Sequence, residues 1–175
     1  MLLARGGARS VQQALLVLLI IGFIASVAFG AWSLRPTPSY ASGDVTVGSP
    51  FDVTFRVENK NPWFALSNLK ISCVVAHVRA SGMEPTMIGA TDVRFPTSGA
   101  SGIEPGEAAT FTCPFRTLIG HPINDDSGVA QRSEIYFRGT YDLPLLGSFQ
   151  ITDNSARFIL NTRLLPPRWT SKPLG

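Results

Sequence analysis

The chain is expected to be all-β, an immunoglobulin-like antiparallel β-sandwich of about seven to eight strands preceded by a single transmembrane α-helix. Three observations lead there. Residues 14–32 form an apolar run without charge. From residue 43 onward, apolar residues recur at every second position in short segments separated by Gly and Pro. No later stretch shows helical periodicity of useful length.

The helix comes first. Ala14 to Trp32 contains eleven Leu, Ile, Val or Phe residues, and no charge lies between Arg9 and Arg35. At about 1.5 Å per residue the run covers about 28 Å, close to the roughly 30 Å of a hydrocarbon core. Arg5, Arg9 and the terminal amine precede it without any acid. The positive-inside bias therefore places residues 1–13 in the cytoplasm and everything after residue 32 in the periplasm or outside the cell, a single-pass inner-membrane arrangement. The alternative is a cleavable signal. Ser26-Val27-Ala28 and Ala28-Phe29-Gly30 are both small-residue sites, and cleavage would release a secreted soluble domain. The apolar run exceeds the roughly 7–15 residues of a signal core, which favours a retained anchor. Within the run, Gly22, Ser26 and Gly30 fall on one helix face, where small residues let two backbones approach and a homo-oligomer form. Small residues are also common in membrane helices without any such role.

Residues 33–42, SLRPTPSYAS, are expected to be a Pro/Ser linker. The β domain follows over residues 43–164. Gly48-Ser49-Pro50 marks a turn, with Asp44 to Val47 as a short edge strand before it. Phe51, Val53, Phe55 and Val57 alternate with polar residues as a half-buried strand, and Asn59-Lys60-Asn61-Pro62 ends it. Leu69 to Ala80 is a second strand whose phase slips after Cys73, the mark of a bulge or of burial on both faces. Met87 to Phe95 is weaker strand material, Thr97 to Gly102 a Gly/Ser loop, and Glu104-Pro105-Gly106-Glu107 a turn. Ala109, Phe111, Cys113 and Phe115 alternate as a further strand. Leu118 to Arg132 is expected to be a long loop. Glu134 to Leu143 should point Ile135, Phe137, Gly139 and Tyr141 inward, and Phe149 to Ile151 and Ala156 to Leu164 supply the last strands. Pro166-Pro167 should stop the sheet, leaving residues 165–175 as a Pro-rich extended tail.

One resemblance enters on these residues. The strand Phe51–Val57, then Asn59-Lys60-Asn61-Pro62, then a strand from about Leu69 resembles the water-stress/hypersensitive-response (WHy) type of late-embryogenesis β-sandwich. That family usually has the order Asn-Pro-Asn at this turn, and some relatives place the domain just beyond an N-terminal membrane helix. The likeness covers residues 43–110. It implies a binding or stress-protective module and brings no catalytic residues with it. The Glu104–Glu107 turn equally suits bacterial adhesion-type sandwiches.

The chemistry of the remaining candidates is sparse. Beyond the helix, 13 Lys and Arg face 12 Asp and Glu, without the basic stripe of a nucleic-acid binder. Cys73 and Cys113 suggest a disulfide in an oxidising compartment, or else two buried thiols packing as small apolar groups. Two cysteines do not make a metal site. His77 and His121 are the only histidines. No Gly-x-Ser-x-Gly element accompanies them, so neither is expected to be catalytic. Asn124-Asp125-Asp126-Ser127-Gly128 lacks the spacing of a calcium loop and suits an Asx-type turn. Trp63 and Phe64 follow a proline and form either a lid on the end of the sandwich or an exposed anchor for a partner. Trp169 in the tail either docks on another protein or frays with its segment. No catalytic, metal or cofactor residues are expected. The work anticipated is non-enzymatic, the binding of other envelope or membrane proteins by an accessory subunit. A WHy-like stress-protective or lipid- or small-ligand-binding module is the alternative.

Overall fold

The apolar run is one continuous helix. The computed structural model of the chain describes residues 5–46, 48–78, 89–93, 102–119, 126–147 and 149–172. Helix α1 spans Arg5–Ser33, and its stretch Val11–Ser33 is long and apolar enough to cross a membrane. Its apolar groups point to all sides, with Leu15, Leu18, Phe23, Ile24 and Phe29 each at least 60% exposed. A helix that is apolar all round needs an apolar solvent or a covering partner. The Ser26 hydroxyl donates to the Gly22 carbonyl at 2.8 Å, so it is satisfied within the helix. At the far end the Arg35 guanidinium lies 3.9 Å over the Trp32 ring.

A second unit covers residues 36–175 and is mostly β. Its described elements are β1 (Pro38–Ser42), β2 (Thr54–Asn59), β3 (Leu66–Ser67), β4 (Lys70–Val78), β5 (Gly89–Val93), β6 (Gly102–Ile103), β7 (Ala108–Thr112), α2 (Phe115–Ile119), α3 (Asp126–Gln131), β8 (Ser133–Asp142), β9 (Gln150–Asn154), β10 (Phe158–Asn161) and β11 (Arg168–Ser171). Every pairing among them is antiparallel. A three-stranded sheet runs β1-β2-β7, a six-stranded sheet runs β11-β10-β8-β4-β5 with β9 also on β8, and β3 pairs β6. The sheets stay open rather than closing into a barrel.

Strand β8 organises the larger sheet. One edge pairs β4 over its whole length, and the other is shared by β10 at Glu134–Ile135 and β9 at Arg138–Asp142. Ile135, Phe137, Gly139 and Tyr141 are all buried, as their alternation predicts. The expected phase slip in β4 is also present. Cys73 to Ala76 are buried consecutively, and the register against β8 shifts between Val75 and His77.

Phenylalanine rings from the two sheets meet in one core. Phe55 (β2) lies 4.9 Å from Phe137 (β8) between ring centroids, and Phe111 (β7) lies 5.3 Å from it. Such edge-to-face pairs add to the burial of large apolar groups. The Cys73–Cys113 disulfide ties β4 to the residue that follows β7, with Cα atoms 5.9 Å apart. It fastens the two sheets across that core.

Several boundaries differ from expectation. The second half of the anticipated linker is strand β1, paired with β2 from Pro38 against Asn59 to Ser42 against Phe55. Proline is tolerated there because β1 is an edge strand. Within the anticipated tail Arg168–Ser171 form strand β11, paired with β10, so Pro166-Pro167 sits in the connection between two strands of the sheet rather than after it. Asp44 makes only an isolated bridge, to Arg168, and Val47 lies outside the described residues. The anticipated strand around Phe115 instead ends at Thr112. Pro114 has no N–H for a ladder but suits a helix start, and α2 follows with its first bonds accepted by the Pro114 carbonyl. Both α2 and α3 fall in or beside the stretch anticipated as a loop. They are too short to show a helical period.

Candidate functional site

At the end of β2 the chain turns on two asparagines. Asn59 is fully buried, and its side chain is used on both ends. Its Nδ2 donates to the Phe64 and Ile103 carbonyls at 2.9 and 3.0 Å, and its Oδ1 accepts from the Asn61 N–H at 3.1 Å. Asn61 repeats the pattern one step outward, its Oδ1 accepting from the Trp63 and Phe64 N–H groups at 2.8 and 2.9 Å. Each is an Asx turn, in which a short side chain satisfies backbone donors that a tight loop leaves without ladder partners.

The Glu104–Glu107 turn locks the same loop from the other side. Gly106 has a φ of +76°, a backbone state that glycine adopts without a steric cost. Its N–H donates to the Asn59 carbonyl and the Asn59 N–H donates to the Glu107 carbonyl, both at 2.9 Å. The loop is therefore held by side-chain and main-chain bonds together.

On this frame Trp63 is 75% exposed while Phe64 is half-buried. An indole on a fixed backbone gives a partner a large contact area without an ordering penalty in the loop. Lys60, Glu104 and Glu107 are exposed around it and offer charges of both signs.

Trp169 requires correction as a contact residue. It is 2% exposed, its ring lies 5.9 Å from Phe51, and its Nε1–H donates to the Pro50 carbonyl at 2.8 Å. It is a core residue that closes the end of the domain opposite the Trp63 loop. The backbone of His77 lies in β4, paired with Glu134, whereas His121, Asn124 and Asp125 lie outside the described residues. Asp126, Ser127 and Gly128 belong to α3. Among the described residues no three His, Cys, Asp or Glu side chains converge as a metal ion would require.

Two buried or half-buried groups have displaced acidities. Burial, and then the negative charge of Asp153, push the Tyr40 phenol above the ordinary tyrosine range. Glu134 is held below the usual carboxylate range chiefly by a hydrogen bond from Lys172, with Arg157 adding to it and partial burial opposing. Both sit in structural settings, within strand pairings.

The tip of the β8–β9 hairpin, between two segments expected as strands, carries Leu145 and Phe149, which are 67% and 65% exposed. A signal for this was present in the sequence. No charged residue occurs between Asp142 and Asp153.

No protein-family model matches the chain, and no characterised protein is significantly similar to it.

Proposed function

We propose that this protein is a membrane-anchored, extracytoplasmic binding module without enzymatic activity. In this reading α1 is a retained span, the two-sheet body is an immunoglobulin-like sandwich, and the Trp63 loop contacts another envelope or membrane protein. The observation that carries it is the exposure of Trp63 on a loop fixed by Asn59 and Asn61. Tryptophan is enriched among the residues that dominate interface energetics, and a preorganised loop lowers the cost of presenting it. The apolar helix and the disulfide support the placement, since disulfides persist in oxidising compartments. A WHy-type ligand module is less well supported, because phenylalanine rings fill the space between the sheets.

Capture of partners from detergent-solubilised membranes tests the proposal, comparing the full chain with Trp63→Ala and Trp63→Phe. Loss of a specific partner in Trp63→Ala and its retention in Trp63→Phe is the expected result. Identical capture by all three chains would remove Trp63 from the interface, and no capture by any would remove the binding role.

A further inference from the structure

The β8–β9 hairpin tip is unusual for a soluble surface. Leu145 has a φ of +66°, a left-handed backbone state that a bulky residue rarely adopts, and its side chain is nevertheless 67% exposed. Phe149 beside it is 65% exposed. The tip is well formed: the Leu143 N–H donates to the Phe149 carbonyl at 2.8 Å, and the Phe149 N–H donates to the Leu146 carbonyl at 2.8 Å. A strained backbone that holds apolar side chains out in water points to a function outside the domain's own core.

The position of this tip within the β unit is informative. Pro38, the first residue of β1, pairs with Asn59, and its Cγ lies 3.4 Å from where a Cβ of Gly139 would stand. Gly139 is three residues from the end of β8, and the Asn68 side chain donates to the Asp142 carboxylate at the hairpin's base. The entry of the chain into the domain, the Trp63 loop and the hairpin tip thus share one end of the sheets. Only residues 34–37 separate α1 from β1. Fully extended, they span at most about 18 Å, whatever direction the domain takes from the helix. The headgroup layer next to a hydrocarbon core is itself roughly 5–8 Å deep.

We propose that Leu145 and Phe149 rest in the headgroup layer of the membrane that α1 crosses, as a lipid-contacting toe of the β domain. The inference rests on α1 being a retained span. The occupant is lipid, because the short tether keeps this end near a bilayer, and uncharged Leu and Phe side chains suit the headgroup–acyl boundary. Lipid contact here would also hold the Trp63 loop close to the membrane surface, where a membrane-embedded partner is met. Among the described residues, the other bare apolar side chains of the β unit's turns are Trp63, at this same end, and Leu165, at the opposite end.

The test uses the full chain in phosphatidylcholine liposomes, with Phe149→Trp as reporter in a background of Trp32→Phe and Trp63→Phe. Trp169 remains as a buried reference whose emission reports an intact fold. The reporter is expected to lose most of its emission to lipids brominated near the headgroup and to resist aqueous acrylamide. Adding Leu145→Gly, which relieves the backbone strain, should weaken that quenching while leaving the reference unchanged. A reporter open to acrylamide and untouched by brominated lipid would overturn the proposal. So would protection that appears only when solubilised membrane proteins are added, which would assign the tip to a protein partner. A chain that fails to float with the liposomes would overturn the anchor itself, and a floating chain with an open reporter would overturn the toe alone.

Discussion

Gly139 and Tyr40 occupy one space: a Cβ on Gly139 would stand 2.6 Å from the Tyr40 hydroxyl oxygen. The Tyr40 ring stacks on Phe137 with centroids 5.1 Å apart, which fixes β1 over the larger sheet. Its hydroxyl is buried without a hydrogen-bond partner, while the nearby Asp153 carboxylate accepts from Tyr141. An unsatisfied buried hydroxyl costs about 1–3 kcal/mol, and overpacking a core costs about the same. Tyr40→Phe is therefore expected to leave stability unchanged or raise it by about 1 kcal/mol. Gly139→Ala should lower it by about 1–3 kcal/mol, and much of that loss should vanish in the Tyr40→Phe background. Urea unfolding of the four chains checks this, and strictly additive energies would show that the two residues do not share the space.

This pair also explains which parts of the fold were legible. Period two survived in β8 because Ile135, Phe137 and Tyr141 are large and Gly139 interrupts them only once. The bulge in β4 was visible because Cys73 to Ala76 break the alternation. Strand β1 was not visible, since only one of its residues, Tyr40, is large and apolar, and Pro38, with Pro36 just before it, looks like linker until an edge-strand neighbour is known. Strand β11 was hidden in the same way by Pro166-Pro167, with Trp169 as its single anchor. At the candidate site, the Pro-Trp-Phe order singled out Trp63 and Phe64 but left open whether they close the end of the domain or stand exposed. The hydrogen bond from Asn59 to Ile103, 44 positions away, was not legible, because long-range partners leave no local pattern.

Trp169 should behave as a keystone of the core. Replacing a buried tryptophan by alanine costs about 3–5 kcal/mol, and here it also strips the Pro50 carbonyl of a donor. Trp169→Ala is expected to unfold the domain or lower its thermal midpoint sharply. Trp63→Ala should barely change it, because that side chain is 75% exposed. Circular dichroism melts distinguish the two, and equal effects would contradict the assignment of Trp169 to the interior.

The disulfide is expected to be both protected and stabilising. Cys73 is fully buried and Cys113 is 5% exposed, so neither should react with alkylating reagents until the chain is denatured and reduced. On the chain-entropy account a loop of this length stabilises by about 4 kcal/mol. Cys73→Ala together with Cys113→Ala should lose stability of that order, measured by urea unfolding under non-reducing conditions. Free alkylation of both thiols in the native protein would refute the bridge.

Glu134 gives the domain an acid-sensitive clasp. From β8 it accepts from Arg157 at 3.1 Å and from Lys172 at 2.6 Å, the residues that precede β10 and follow β11. Its pKa in the folded chain is lowered from the ordinary 4.5, first by the Lys172 hydrogen bond. A carboxylate with a depressed folded pKa contributes stability that is complete above its unfolded pKa and is lost as pH falls through the folded one. Lys172 and Arg157 are 47% and 51% exposed, so solvent screening limits each pair to about 1 kcal/mol or less. Glu134→Gln is therefore expected to be modestly less stable than the parent at pH 7, with the two stability curves converging once the pH drops below the folded pKa. Concentrated salt should narrow the gap at pH 7 as well, because the two cations are open to screening. A difference that persisted unchanged into acid would mean that the Glu134 side chain acts through packing and not through its charge.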